Sequence, residues 1–174
     1  IAAMADDVLI FTYGGLSKNY RAAGFRGGWM VLSGPVHKAK SLVEGLNLLA
    51  SMRLCANVPT QYAIQTALGG YQSINDLVAK DGRLTKQRDL IHYMLTDIPG
   101  VTCVKPKGAL YLFPKIDLTK FDFADDNEFA YRLLEDKHVL IVPGSGFNHS
   151  DKAHFRIVFL PQADDLAFAA NQMA

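Results

Sequence analysis

Cysteine is scarce in this 174-residue chain: there are two, Cys55 and Cys103, and neither stands in a CxxC or CxxH spacing. That argues against a disulfide framework or a structural zinc site and makes a reducing cytoplasm the expected compartment. Charge of one sign is not in excess either. Lys+Arg 18 against Asp+Glu 17 gives a formal net charge of +1, with the signs interspersed, which speaks against a nucleic-acid platform or a polybasic membrane surface. No apolar run approaches the ~20 residues a membrane span needs. The histidines, at 37, 92, 138, 149 and 154, show no metal-ligand spacing, so no metal site is expected. Repeats and low-complexity tracts are absent. The first ten residues lack the charged segment and cleavage site of a signal peptide.

What is present is a composition of 49% hydrophobic and 20% charged residues, ordinary for a globular protein of one domain or two small lobes. Val8 to Thr12 reads as a buried strand of parallel type running into the turn Tyr13-Gly-Gly15, and Gly28 to Leu32 as a second strand. Such a strand needs partners on both faces and edges, and the chain ends abruptly, so a piece of a longer protein is expected. Pro35 suits the first position of a helix whose apolar stripe is Ala39, Leu42, Val43, Leu46, Leu49 and Ala50. Asn57-Val-Pro59 starts another helix, ended by Gly69-Gly70. A long helix over 73–98 follows, loosened at Gly82, and connects two lobes, 1–69 and 70–174. After Gly100 the texture is that of an α+β lobe with a small, mostly antiparallel sheet. Its strands are Val101 to Val104, Ala109 to Phe113, Val139 to Val142 and His154 to Leu160. A helix over 126–137 is introduced by the capping-box-like Asp125-Asp-Asn-Glu128, and another begins at Asp164.

Lys18 is the first candidate for chemistry. It follows an apolar strand, at the end where α/β sheets bind ligands. Most lysines are solvated loop residues, but this one has Ser17 beside it, Arg26 eight residues on, and glycines at 14, 15, 24, 27 and 28. Glycines let backbone N–H groups approach an anion, and arginine grips phosphate bidentately. A lysine beside such a corner suits a Schiff-base cofactor. The spacing is not that of a nucleotide P-loop, because Asn19 follows the lysine.

The segment Gly14-Gly-Leu-Ser-Lys-Asn-Tyr-Arg-Ala-Ala-Gly-Phe-Arg-Gly-Gly-Trp29 resembles the cofactor-lysine motif of class I/II, fold type I pyridoxal-phosphate aminotransferases. Asn57-Val-Pro-Thr-Gln-Tyr-Ala63, Lys107-Gly-Ala-Leu-Tyr-Leu-Phe-Pro114, Val142-Pro-Gly-Ser-Gly-Phe147 and His154-Phe-Arg-Ile-Val158 resemble later motifs of that family, in order, along the whole chain. The resemblance is nearest to the alanine and tyrosine aminotransferase branch. It implies an α/β fold made of the end of the large cofactor domain plus the α+β small domain. It implies pyridoxal 5'-phosphate as cofactor, and an amino acid and a 2-oxo acid as substrates. Lys18 would carry the cofactor and shuttle the substrate's α-proton, for which a free amine is required. Arg26 would bind the cofactor phosphate, helped by Ser17. Many relatives carry a hydroxyl residue three positions before the lysine, where this chain has Gly15, so Arg26 bears more of that task.

Arg156 lies on the opposite strand face from Phe155, Ile157 and Phe159. From the pattern alone it is an internal ion pair or an edge-strand arginine. The resemblance instead makes it the fork that clamps the substrate α-carboxylate. Asn57 reads as an N-cap, Gly108-Ala109 and Gly144-Ser145 as turns, and Tyr20, Trp29 and Tyr111 as packing residues rather than stacking platforms. The acidic partner of the pyridine nitrogen and the ring-stacking residue would precede Lys18 in the family, and Ile1 to Ser17 match neither. The segment alone is therefore expected to be inactive, and the intact protein to be a homodimer. The rival readings are a β-lyase on the same fold and a non-enzymatic interaction module.

Overall fold

The computed structural model describes residues 2–174. The chain divides into two compact units, Ile1–Asn75 and Asp76–Ala174.

In the first unit, β1 (Ile10–Gly15) and β2 (Gly28–Ser33) form an antiparallel pair, with Ile10 opposite Ser33 and Gly15 opposite Gly28. The parallel-type strand expected over 8–12 thus starts two residues later and pairs as a hairpin. Trp29 stands opposite Gly14, and its indole occupies the space a β-carbon there would need, a packing role. Pro35 precedes a 3-10 turn, Val36–Lys38, and α1 begins only at Lys40 (Lys40–Arg53). The apolar stripe of α1 keeps the helical period, yet Leu42 and Leu49 are exposed, and Leu16 is the one buried hydrophobic residue of this unit among those described. In α2 (Val58–Gly69), Asn57 caps the helix by accepting the Thr60 N–H at 3.3 Å, with proline in the first turn.

The helix expected over 73–98 is two helices, α3 (Ile74–Val78) and α4 (Arg83–Asp97). The break has a local cause. Gly82 is buried so closely on the carbonyls of Asp76 and Leu77 that a β-carbon would overlap them, and it begins α4 in extended conformation. The Thr85 hydroxyl donates to the Val78 carbonyl at 3.0 Å, satisfying the end of α3. The division between the units falls within α3.

The second unit holds the core. Its strands are short: β3 (Val101–Thr102), β4 (Tyr111–Leu112), β5 (Lys115–Ile116), β6 (Val142–Pro143) and β7 (Phe155–Val158). All pair antiparallel, β3 with β5 and, in a second sheet, in the order β4-β7-β6; a bridge from Lys115 to His154 links the two. After a four-residue helix, α5 (Leu118–Phe121), come α6 (Asp126–Lys137) and α7 (Ala163–Met173). Ile91 and Leu95 of α4, Phe129 and Leu133 of α6, and Leu166 and Ala170 of α7 bury against Leu112, Ile116, Phe155 and Ile157. Phe155 and Ile157 along β7, and Phe159 just past its end, are buried in alternation, so one face of the sheet is committed to the helices. Arg156 and Val158 stand on the other face.

Candidate active site

The β1–β2 hairpin positions the first group of residues. The Leu16 N–H donates to the Gly27 carbonyl at 3.0 Å, continuing the ladder one step past Gly15 and Gly28. Beyond that bond the chain leaves the ladder and enters the loop that carries Ser17, Lys18 and Arg26. Leu16, 2% exposed, anchors this base, and its carbonyl accepts the Ala22 N–H at 3.0 Å. The Lys18 carbonyl accepts the Arg21 N–H at 3.1 Å, so the loop turns immediately after the lysine. Lys18 and Arg26 are exposed, and no carboxylate among the described residues pairs with the lysine amine.

Arg26 has left-handed backbone, φ 52°, which ends the 3-10 turn Ala23–Phe25. Its Nη1 donates to the Ala23 carbonyl at 2.8 Å, an exposed contact within the same loop. The loop is pinned from behind by α2. Thr60, 3% exposed, donates its hydroxyl to the Phe25 carbonyl at 2.7 Å. Its methyl group fills the space beside Gly27. The turn carrying Arg26 is thereby fixed on both sides by one side chain. The sequence marked Asn57 at this helix start; the residue that reaches the loop is Thr60, three positions on.

Arg156 belongs to the second unit. It sits on β7, the central strand of its sheet, opposite Val142 of β6. No salt bridge to Arg156 exists among the described residues, which overturns the internal-ion-pair alternative; the central position overturns the edge-strand one. Its guanidinium carbon lies over two aromatic rings, 4.7 Å from the centroid of Tyr111 and 4.5 Å from that of Phe147. Its Nε is buried without a hydrogen-bond partner. Tyr111 is therefore a stacking platform, contrary to the packing role read from the sequence. A Tyr three residues before a proline carries no mark of a guanidinium partner; only the register, Tyr111 opposite Val158, brings it beside Arg156.

The turn Gly144–Phe147 that presents Phe147 is tied down. The wholly buried Asp126 accepts the Ser145 N–H at 2.9 Å, and the Asn127 amide donates to the Ser145 hydroxyl at 2.9 Å. Phe113 meets Phe147 edge-on, with centroids 6.4 Å apart, and stacks on His154 at 5.0 Å. On the outer side, Lys115 bonds Asp151 at 2.6 Å, and that bond leads the influences holding the Asp151 carboxyl below the usual carboxylate range. Among the described residues no group of three His, Cys, Asp or Glu side chains could hold a metal ion, and no helix is long and apolar enough to cross a membrane.

An amine and a guanidinium share one glycine-lined hairpin loop, and a second, unpaired arginine rests on aromatic rings at a sheet's centre. These define the chain's class: it belongs to the aminotransferase class I and II family, whose model matches residues 1–170. It is 56% identical over its whole length to the glutamate-pyruvate aminotransferase AlaA of Haemophilus influenzae, covering 43% of that protein. Over 99% of its length it is 50% identical to the alanine aminotransferase of Mycobacterium bovis, covering 40% of it. The crystal structure of an aminotransferase from Escherichia coli superposes with a TM-score of 0.94 at 54% identity, over 99% of this chain and 43% of that one. The chain thus spans less than half the length of the curated relatives it matches.

Proposed function

We propose that this chain is the C-terminal portion of a pyridoxal-phosphate-dependent aminotransferase acting on alanine or glutamate and a 2-oxo acid. Residues 1–69 would be the end of the large cofactor domain and residues 70–174 the small domain. The observation that carries the reading is the β1–β2 hairpin, closed by the Leu16–Gly27 bond, whose one loop carries Ser17, Lys18 and Arg26. The donor set fits the cofactor's chemistry: a primary amine suits an aldehyde, and a guanidinium with a neighbouring hydroxyl suits a phosphate. When bound, pyridoxal phosphate supplies an electron sink for the bonds at the substrate's α-carbon.

Lys18 would hold the cofactor through Nζ and, as the free amine, would move a proton to and from the substrate's α-carbon. That last task needs the neutral amine. Arg26, held in place by Thr60, neutralises the phosphate, with Ser17 as a smaller contributor. Arg156 would take the substrate α-carboxylate in a two-bond fork. The named relatives' glutamate-pyruvate and alanine specificity supports the choice of substrates. We read the full-length protein as a homodimer. Cys55 and Cys103 are free, in keeping with a cytoplasmic setting.

The test is covalent trapping. The full-length protein, loaded with pyridoxal phosphate and reduced with borohydride, should carry the label on the peptide containing Lys18, and alanine with 2-oxoglutarate should yield pyruvate and glutamate. Label on another lysine overturns the site. Ammonia and pyruvate released without an oxo-acid acceptor would make the protein a lyase instead.

A further inference from the structure

An arginine on a central strand is ordinarily held by acceptors: a carboxylate on its fork or a carbonyl on its Nε. Arg156 has neither. Its Nε is buried without a partner, and among the described residues no ion pair reaches its fork. What does hold it is the pair of rings, Tyr111 from β4 and Phe147 from the turn after β6, each within 4.7 Å of the guanidinium carbon. The difference is chemical. An acceptor uses up in-plane N–H groups, whereas a ring attracts the cation through its face and leaves those donors unspent. Rings also fix the guanidinium plane, which is what a bidentate carboxylate bond requires.

We propose that Tyr111 and Phe147 are positioning residues of the substrate-carboxylate subsite: they hold Arg156 oriented and unpaired until a carboxylate arrives. The proposal rests on the reading of Arg156 as the carboxylate fork. Phe147 is itself positioned. The Phe113 ring meets its edge, and Asp126 and Asn127 bind Ser145, two residues before it. The Tyr111 hydroxyl has no part in this; the aromatic face is what matters.

The experiment uses the full-length protein and measures, for each variant, KM and kcat for alanine. It also measures the inhibition constant of propionate, a carboxylate without an amino group. Tyr111→Leu and Phe147→Leu keep apolar bulk and remove the ring. Each should raise KM and the propionate constant by roughly 5- to 30-fold, the span of a partly desolvated cation–ring contact, with kcat changed less than about twofold, as expected when uniform binding is lost. Tyr111→Phe should restore both constants to within about twofold of the parent. Leucine variants with parental KM and propionate constants overturn the proposal. So does a Tyr111→Phe variant as impaired as Tyr111→Leu, which would make the hydroxyl the active part. Arg156→Lys separates the two claims. If it leaves propionate binding intact, the carboxylate reading fails; if it weakens binding while the leucine variants do not, only the role of the rings fails. Phe147 is 46% exposed, so its leucine variant carries the test should Tyr111→Leu not fold.

Discussion

Gly27 and Thr60 are fitted to one another: a β-carbon on the glycine would overlap Cγ2 of the threonine, whose hydroxyl meanwhile holds the Phe25 carbonyl at 2.7 Å. The same side chain thus limits the size of the residue after Arg26 and bonds the residue before it. Gly27→Ala should overpack this joint and destabilise the full-length protein by about 1–3 kcal/mol. Thr60→Ser removes the methyl group and keeps the hydroxyl, so it should be nearly neutral alone and should rescue Gly27→Ala. A double-mutant cycle in urea should give a coupling of about 1 kcal/mol or more. Additive effects would show that the two residues do not share the joint.

Arg26 and Ser17 lie in the same hairpin loop but should contribute unequally. Charge-assisted hydrogen bonds carry about 1.5–3 kcal/mol each. Arg26→Ala should therefore weaken pyridoxal-phosphate binding by roughly 10- to 150-fold, followed by fluorescence titration. Arg26→Lys should recover part of that loss, since it restores charge without the fork. Ser17→Ala should cost less than about fivefold, the scale of a neutral hydrogen bond. A larger loss at Ser17 than at Arg26 would reverse the assignment.

What the sequence made legible follows from how local each determinant is. Helix α6 was found at its true bounds because its cap is written within four residues, Asp125 to Glu128. The alternation along β7 predicted its buried face, since a strand's period depends on nothing else. Gly82 reads from the sequence as loosening one long helix; that it parts two, α3 and α4, depends on its packing against the carbonyls of Asp76 and Leu77, a fit that periodicity does not register. The stripe on α1 was correctly periodic, but periodicity names the residues that want cover and not whether this chain supplies it; Leu49 is 64% exposed. Lys18, Arg26 and Arg156 are charges in unusual company and so stand out. Thr60 and Tyr111 act through long-range fit, and nothing in their neighbours' identity distinguishes them.

The cap of α6 makes a pH prediction. The Glu128 N–H foremost, with that of Asn127, each bonding at 3.0 Å, holds the Asp125 carboxyl below its ordinary 3.8. A carboxyl whose folded value is depressed stabilises the fold fully above its unfolded value. That contribution is lost as pH falls through the folded value. The parent should therefore be more stable than Asp125→Asn at pH 6, and the gap should close on acidification below 3.8. Urea unfolding of both proteins between pH 6 and pH 3 measures it. A gap that stays constant over that range would mean the cap contributes through shape and not through charge.

Asp126, the next residue, should join stability to substrate binding. It is wholly buried, and its carboxylate accepts the Ser145 N–H at 2.9 Å and the Asn127 amide at 3.2 Å. Its own N–H donates to the Lys152 carbonyl at 2.8 Å, so α6 grips both ends of the loop that carries Phe147. Asp126→Ala removes the acceptor and leaves the Ser145 N–H without it, at a cost of about 2–3 kcal/mol. Because the loosened turn presents Phe147 to Arg156, KM for alanine should rise as well, in a protein that remains folded at 25 °C. Asp126→Asn retains one carbonyl oxygen for the Ser145 N–H and should recover most of the KM while remaining less stable than the parent. Should Asp126→Ala lose stability with KM unmoved, the turn would be held by its aromatic contacts alone, and the carboxylate would serve the fold without reaching the site.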